Sequence, residues 1–456
     1  MMKIIYKLLD PAFLCGLAFF SIIMVFILVF FCRKKSTLSK IILAYFIIVS
    51  ILIFSINLFV KDPYRSQFDS YNFNLVAVKV ANNIKSDPIN IFSYLPLERK
   101  AYHNPPYIIL LTIIYIVFYN SMIAGELFSA LCGALTLYQL YYFTEFIYNK
   151  RTALYTTFML AISPFYIYLS TRLLRETLCL LTIVTFFRLW QKQQRHFAWK
   201  NVISMGLLIL FLLFLRAQFA ALLMLVVAIY GLSFIFFRRI GLKGLLTVAS
   251  SITLGMFLLI NYRPEILQNT LLEGFKYAQL ERMEAREEFS SEISFSYAEP
   301  VKFNSFVDII NSIPKMSFYF MTVPLPWHVF NAKLLVCLLD SGALWFIYLL
   351  AIFDARTLWQ GNRKWALILF SYLAIGIAGA SLLQANISNA MRHRLPFTIF
   401  ILPLAAHRLV LWWEKRRGRI AVRKPLWAPG VGRPLASRNS GPSAAGSGRV
   451  APARRL

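Results

Sequence analysis

Eleven strongly apolar stretches between Pro11 and Trp413 constrain this chain more than any other feature. Most of them approach the length that a helix needs to cross about 30 Å of hydrocarbon. They cover residues 11–31, 40–60, 121–147, 152–170, 177–190, 201–215, 217–237, 245–260, 334–353, 365–383 and 395–413. Hydrophobic residues make up 59% of the chain, as expected of a protein with lipid as its main solvent. The sequence therefore predicts an all-α integral membrane protein with about eleven transmembrane helices.

Basic side chains are concentrated in alternate loops, and this bias gives the topology. Fifteen Lys and Arg, against one acid, lie in loops 32–40, 148–151, 191–200, 238–243 and 354–364. The positive-inside rule places these loops in the cytoplasm. Residues 105–119 are also apolar, but counting them as a span would put most of these charges outside. We therefore expect a short interfacial helix there, opened by a proline pair. The N-terminus is then on the outer side of the plasma (inner) membrane, and the C-terminus is on its cytoplasmic side.

This topology divides the chain into six predicted regions. They are two N-terminal helices (1–60), an outer loop with amphipathic helices (61–120), a transmembrane core (121–260), an outer loop with a re-entrant or interfacial segment (261–333), C-terminal helices (334–417) and a basic tail (418–456). The tail is rich in Gly, Pro, Ala, Ser and Arg, which predicts disorder in the cytoplasm, whether it is a genuine tail or an out-of-frame end. The tail and the cytoplasmic anchors supply much of the net charge of +28. No nucleic-acid-binding module accompanies them, so nucleic acid is not an expected partner.

The first outer loop carries an acid at the head of an amphipathic pattern. Helical spacing of apolar residues from Phe73 to Ile84 predicts a helix with Asp69 or Ser70 at its N-cap. Asp69 would also lie just above the membrane, where a lipid head group enters between spans. Further along, His103 and Asn104 precede the proline pair, either as ordinary interfacial residues or as part of a site.

Charged residues in three other outer turns complete the candidate site. Arg172, Arg175 and Glu176 form one turn, and Glu176 adjoins a span, where an unpaired carboxylate would be costly. We therefore expect it to have a partner, although the turn could be only an interfacial ion pair. Arg216 occupies a second outer turn, and Arg392, His393 and Arg394 lie in a third, at the mouth of the last helix. Arginines that serve as membrane anchors normally gather on the cytoplasmic side, so Arg392 and Arg394 on the outer side favour an anionic ligand.

Four short motifs stand in order along the chain. They are Asp69 followed by Tyr71, Asn104-Pro105-Pro106-Tyr107 before an apolar helix, Ser163-Pro164-Phe165-Tyr166-Ile167-Tyr168 leading to Arg172, Arg175 and Glu176, and Arg392-His393-Arg394-Leu395-Pro396-Phe397. Taken together, these motifs resemble the GT-C superfamily of membrane glycosyltransferases, especially protein O-mannosyltransferases and the lipid A aminoarabinose transferase (family 39-like). The last of the four resembles the basic motif that opens the last helix of bacterial members.

The resemblance implies sugar transfer from a polyprenyl-phosphate carrier to a glycan, lipid or protein acceptor on the outer face. It makes Asp69 the general base and Glu176 the second acid, close to a metal or to the acceptor. Tyr71, His103 and Asn104 are then expected to contact substrate. The donor phosphate would need cationic partners, for which the candidates are Arg172, Arg175, Arg216, Arg392, His393 and Arg394. No definite cofactor is indicated, and a divalent cation (Mg²⁺ or Mn²⁺) held by Asp69 and Glu176 is left open.

Two other functions are compatible with this sequence. An O-antigen polymerase or ligase would also use outer-face arginines, but with a lipid-diphosphate glycan as donor. A lipid-linked sugar transporter or flippase would place ionisable residues within the spans, where Asp340, His407 and Arg408 are the clearest candidates. Transporters often carry internal repeats, and the sequence shows none.

Overall fold

The computed structural model describes residues 7–31, 36–60, 68–87, 105–236, 306–328, 332–384 and 387–418, which form helices and no strand. The helices are α1 (Pro11–Phe30), α2 (Thr37–Phe59), α3 (Phe68–Ser86), α4 (Pro105–Val117), α5 (Met122–Ile147), α6 (Lys150–Ala161), α7 (Pro164–Ser170), α8 (Glu176–Arg195), α9 (Trp199–Phe236), α10 (Phe306–Thr322), α11 (Ala332–Gly361), α12 (Arg363–Leu383) and α13 (Ile387–Arg416). A short 3₁₀ helix, Pro326–His328, precedes α11. The predicted span 245–260 and the tail beyond residue 418 lie outside the described residues.

The predicted all-α membrane architecture is confirmed. Seven of the described helices are long and apolar enough to cross a membrane, and α6 with α7, bent by 66° at their junction, form a broken eighth. Each predicted span in the described ranges coincides with a helix, with half of one or, for 152–170, with the broken pair α6 and α7. The helix at 105–119 is also present as α4, whose 13 residues extend only about 20 Å and cannot cross the hydrocarbon alone.

Helix α9 corresponds to two of the predicted spans, because the chain reverses at Arg216. The backbone there leaves the helical conformation, with φ −155° and ψ 92°. Just before the break, the carbonyl of Leu215 accepts a hydrogen bond from Arg175 Nη1 (3.4 Å), beside the start of α8. Beyond it, the Tyr230 ring lies 5.5 Å from the ring of Trp190, near the end of α8. The two halves of α9 therefore run antiparallel, and Arg216 occupies the turn between them.

Helix α5 lies at the centre of the bundle and packs against α1, α2, α6 and α8. Its buried face continues into an aromatic cluster in which Phe143 contacts Trp365 and Phe400 at centroid distances of 5.8 and 5.3 Å. We call the end of the bundle that holds Glu176 and Arg216 the upper end, and the end that holds Trp190 and Trp365 the lower end. This packing fixes the starts of α8 and α13 together at the upper end.

Two outer-loop predictions are refined by the structure. Helix α3 begins at Phe68, so Asp69 lies in its first turn and not at the N-cap. The predicted apolar stripe of this helix is buried at Ala77, Val80 and Ile84. The predicted re-entrant or interfacial segment of the loop 261–333 contains helix α10, which ends at Thr322, and the buried face of this helix packs against α12 and α13.

Candidate functional site

The upper end of the bundle gathers charged side chains from four helices. Asp69 lies on α3, Glu176 begins α8, Arg216 lies at the turn of α9, and Arg392 and His393 lie in the first turns of α13. Arg392 Nη1 donates to Asp69 Oδ2 at 2.8 Å, joining positions 323 residues apart. The Asp69 side chain is 56% exposed and that of Arg392 only 15%, so this pair forms the mouth of the cluster.

A second pair lies deeper, where Arg216 Nη2 donates to Glu176 Oε1 at 2.6 Å and both side chains are 9% exposed. This confirms that Glu176 has a partner. Glu176 is the first residue of α8, and its side chain is buried within the cluster. Its other oxygen, Oε2, is buried and has no hydrogen-bond partner among the described residues.

Arg216 also fixes the tautomer of His393. Arg216 Nη1 lies 2.8 Å from His393 Nε2, and a guanidinium can only donate. Nε2 must therefore accept, which places the ring proton of a neutral His393 on Nδ1. Nδ1 lies 3.5 Å from the side-chain amide of Gln384, whose oxygen can accept that proton if the amide is turned.

The cluster carries an excess of positive charge. Three guanidiniums, those of Arg175, Arg216 and Arg392, surround two carboxylates. Burial lowers the pKa of Arg175, and its neighbour Arg216 lowers it further, to about 10, so that this guanidinium remains charged at neutral pH. Burial raises the pKa of Glu176, just outside the predicted span, but Arg216, Arg392 and Arg175 reverse this and leave it below its ordinary value. Glu176 is thus an ionised carboxylate, and one positive charge remains to attract an anion.

A cavity of about 10 Å³ lies within the cluster, enough for about one water molecule. It is lined by Glu176, Arg216, Arg392 and His393, together with Cys179, Leu180, Phe219 and Pro396. A phosphate or a sugar is larger than this space. A ligand must therefore enter by separating charged pairs, and the exposed pair Asp69–Arg392 is the more accessible of the two.

The structure brings together some of the predicted site residues and separates others. Arg394 is 1% exposed and points away from the cavity. Its Nη1 donates to the carbonyl oxygens of Val323 and Met321, and its Nη2 donates to Ser341 Oγ at 3.0 Å. The prediction that Arg394 belongs to the same phosphate clamp as Arg392 therefore finds no support in this geometry. The physical reason is that side chains two positions apart on a helix project about 200° apart.

Arg172 also lies outside the cavity lining, with its guanidinium 5.4 Å from the ring centroid of Tyr168. Tyr71 lies on α3 two residues beyond Asp69 and is about half exposed. His103 and Asn104 lie outside the described residues, so their predicted contacts with substrate remain predictions.

Sequence reasoning missed two polar contacts close to the site. Gln384, at the end of α12, contacts His393, and no motif marks it. Glu126 is 1% exposed near the start of α5 and accepts a hydrogen bond from Asn57 Nδ2 at 2.7 Å. The acid within an apolar span was the signal that could have revealed it.

The described residues show no cluster of metal ligands at the site. The described part of the chain has no group of three or more His, Cys, Asp and Glu side chains placed to hold an ion. Asp69 and Glu176 are each bound by an arginine, whose charge opposes a second cation nearby. A metal at these two residues stays a prediction, and no step below depends on one.

No family model matches the sequence, and no curated protein matches it. Among solved structures, the chain is similar to the apo Archaeoglobus fulgidus oligosaccharyltransferase, with a TM-score of 0.45 and 16% identity over 84% of this chain and 52% of that chain. It is also similar to the archaeal oligosaccharyltransferase AglB from Archaeoglobus fulgidus in complex with an inhibitory peptide and a dolichol-phosphate, with a TM-score of 0.43 and 14% identity over 85% of this chain and 53% of that chain. The chain thus spans about half the length of these structures. Likeness at this level identifies neither substrate nor site residues.

Proposed function

We propose that this protein is a membrane glycosyltransferase of the GT-C kind. It moves a sugar from a polyprenyl-phosphate carrier to a glycan, lipid or protein acceptor at the outer face of the plasma membrane. The observation that carries the proposal is the upper-end cluster, where an exposed carboxylate, Asp69, adjoins arginines that are in excess over the acids. A base beside an anion site is the pair of functions that transfer from a lipid phosphate requires.

The bond changes assign each charge a task. The acceptor oxygen attacks the anomeric carbon while the bond from that carbon to the phosphate oxygen breaks. Asp69 takes the acceptor proton. The donor phosphate begins as a diester with one negative charge and leaves as a monoester that carries a second. Arg392 and Arg216 stabilise this developing charge, because a guanidinium matches two phosphate oxygens.

The ion pairs give the reaction an order. Donor phosphate competes with Asp69 for Arg392, and its binding releases Asp69 Oδ2 from the 2.8 Å contact, so that this oxygen can take the acceptor proton. Glu176 keeps its ion pair with Arg216 and orients that guanidinium. The other carboxylate oxygen of Glu176, Oε2, is an acceptor for a sugar hydroxyl. The donor thus prepares the base that the acceptor will need.

The test is transfer by purified protein in lipid nanodiscs with polyprenyl-phosphate sugars. We expect Asp69→Asn to leave the fold intact and lower turnover about a hundredfold or more. Asp10→Asn is the matched control, because Asp10 is an exposed acid that caps α1 at the same end of the bundle, and Asn caps equally well.

We expect Arg392→Lys to weaken donor binding about tenfold and acceptor binding little, since lysine keeps the charge but loses the two-point contact. Near-normal turnover by Asp69→Asn would remove Asp69 from the mechanism. Consumption of lipid-diphosphate glycans in place of lipid-phosphate sugars would instead identify the polymerase or ligase alternative.

A further inference from the structure

Arg394 is a buried charged side chain outside the cavity, and its hydrogen-bond partners lie at the end of one other helix and on a second. Its guanidinium binds the carbonyls of Met321 and Val323, at the end of α10, and the hydroxyl of Ser341, on α11. Helix ends present carbonyl groups that lack intrahelical partners and carry partial negative charge. A buried cation at this point therefore joins the end of α10 to the start of α13.

The same arginine pairs with a buried acid that reaches a fourth helix. Arg394 Nη2 lies 3.9 Å from Asp340 Oδ2, and the two side chains are 1% and 6% exposed. Asp340 Oδ1 accepts from Ser163 Oγ at 3.2 Å and from the backbone N–H of Phe165 at 3.4 Å, at the start of α7. Helix α7 leads directly to the turn that carries Arg175 and Glu176. The Arg394–Asp340 pair thus joins α13 to the segment that leads into α8, and both helices line the cavity.

The first turns of α13 need such an anchor. Pro396 lacks an N–H, so the carbonyl of Arg392 has no helical partner four residues on. Arg392 and His393 reach the cavity, whereas Arg394 projects to the other side of the helix. An anchor at Arg394 therefore sets the rotation of this turn, and with it the positions of the two preceding side chains.

We propose that Arg394 and Asp340 are positioning residues that hold Arg392 and His393 in the donor-phosphate site without touching the donor. This proposal rests on the proposed function, because it refines the anion site described there. It replaces the direct phosphate role that the sequence alone suggested for Arg394. Asp340 distinguishes the two roles, since a carboxylate beside a phosphate ligand would repel the donor, whereas a carboxylate beside an anchor supports its binding.

The first experiment needs no ligand. Hydrogen–deuterium exchange is compared in the parent, Arg394→Lys and Asp340→Asn. Asp354→Asn serves as the matched control, because Asp354 is a buried acid paired with His407 on the same two helices at the lower end. We expect faster exchange of residues 387–395 and 319–323 in the first two variants only. Unchanged exchange there, or equal acceleration in the control, would overturn the proposal.

The second experiment measures binding of a polyprenyl phosphate in nanodiscs, with the matching polyprenol as reference. We expect Asp340→Asn and Arg394→Lys each to weaken binding about fivefold to tenfold in the parent background. In the Arg392→Lys background each should change it less than twofold, because the residue they position is already altered. Tighter binding by Asp340→Asn would show that Arg394 contacts phosphate directly, and unchanged binding would overturn the positioning role of the pair. If the parent protein does not bind polyprenyl phosphate more tightly than polyprenol, the proposed function fails. The hydrogen–deuterium exchange experiment then still decides whether the Arg394–Asp340 pair orders the first turns of α13.

Discussion

Replacing Glu176 by Gln tests the electrostatic core of the site, because Glu176 is the buried partner of Arg216. Both side chains are 9% exposed and their charged atoms are 2.6 Å apart. Removing one member of such a buried pair leaves the other charge without compensation and costs about 3–5 kcal/mol. Arg175 and Arg392 lose the same neighbouring charge, which favours the upper part of this range.

The free energy of unfolding should therefore fall by about 3–5 kcal/mol in Glu176→Gln, measured by denaturant titration in detergent micelles with tryptophan fluorescence. The control is Asp69→Asn, whose side chain is 56% exposed and should cost about 1 kcal/mol or less. Equal stability of Glu176→Gln and the parent would refute the reasoning, because the pair would then contribute no net stability.

The pH dependence of this difference has a defined sign. The pKa of Glu176 is lower in the folded protein than its ordinary value of 4.5, because the arginines outweigh burial. A lowered folded pKa means that the stabilisation is complete above the unfolded pKa and is lost as the pH falls through the folded pKa. The stability difference between the parent and Glu176→Gln should be constant well above pH 4.5 and should shrink as the pH falls below this value. A difference that grows on acidification would contradict this assignment.

Two further predictions concern packing and the C-terminal tail. Gly376→Ala should destabilise the protein by about 1–3 kcal/mol, because a Cβ there would overlap Phe397 and lie 2.7 Å from Leu222. The control is Gly379→Ala, whose Cβ would meet nothing within 4 Å. Equal thermal stability of the two variants would contradict the close packing at Gly376. Truncation after Arg417 should leave the rate of sugar transfer unchanged, because a segment with the composition of 418–456 cannot bury a core. A large loss of turnover would show that the tail docks and functions.

Periodicity and charge bias determined the architecture without any knowledge of tertiary structure. Long apolar stretches have few alternatives to spanning helices, because lipid cannot satisfy backbone polar groups. The same reasoning gave α4 as a short separate helix and placed a turn at Arg216, where the structure reverses the chain. These features depend on local composition, which a single sequence contains in full.

The partners within the site were decided only by the tertiary structure. The sequence indicated that Glu176 needed a partner but could not select Arg216 from several arginines in the outer turns. It grouped Arg392 with Arg394, although the rotation of α13 sends one to Asp69 and the other to the end of α10. Whether an arginine faces a cavity or a helix end depends on how helices distant in sequence pack, and side chains two positions apart on one helix diverge by about 200°. A shared motif therefore did not imply a shared site.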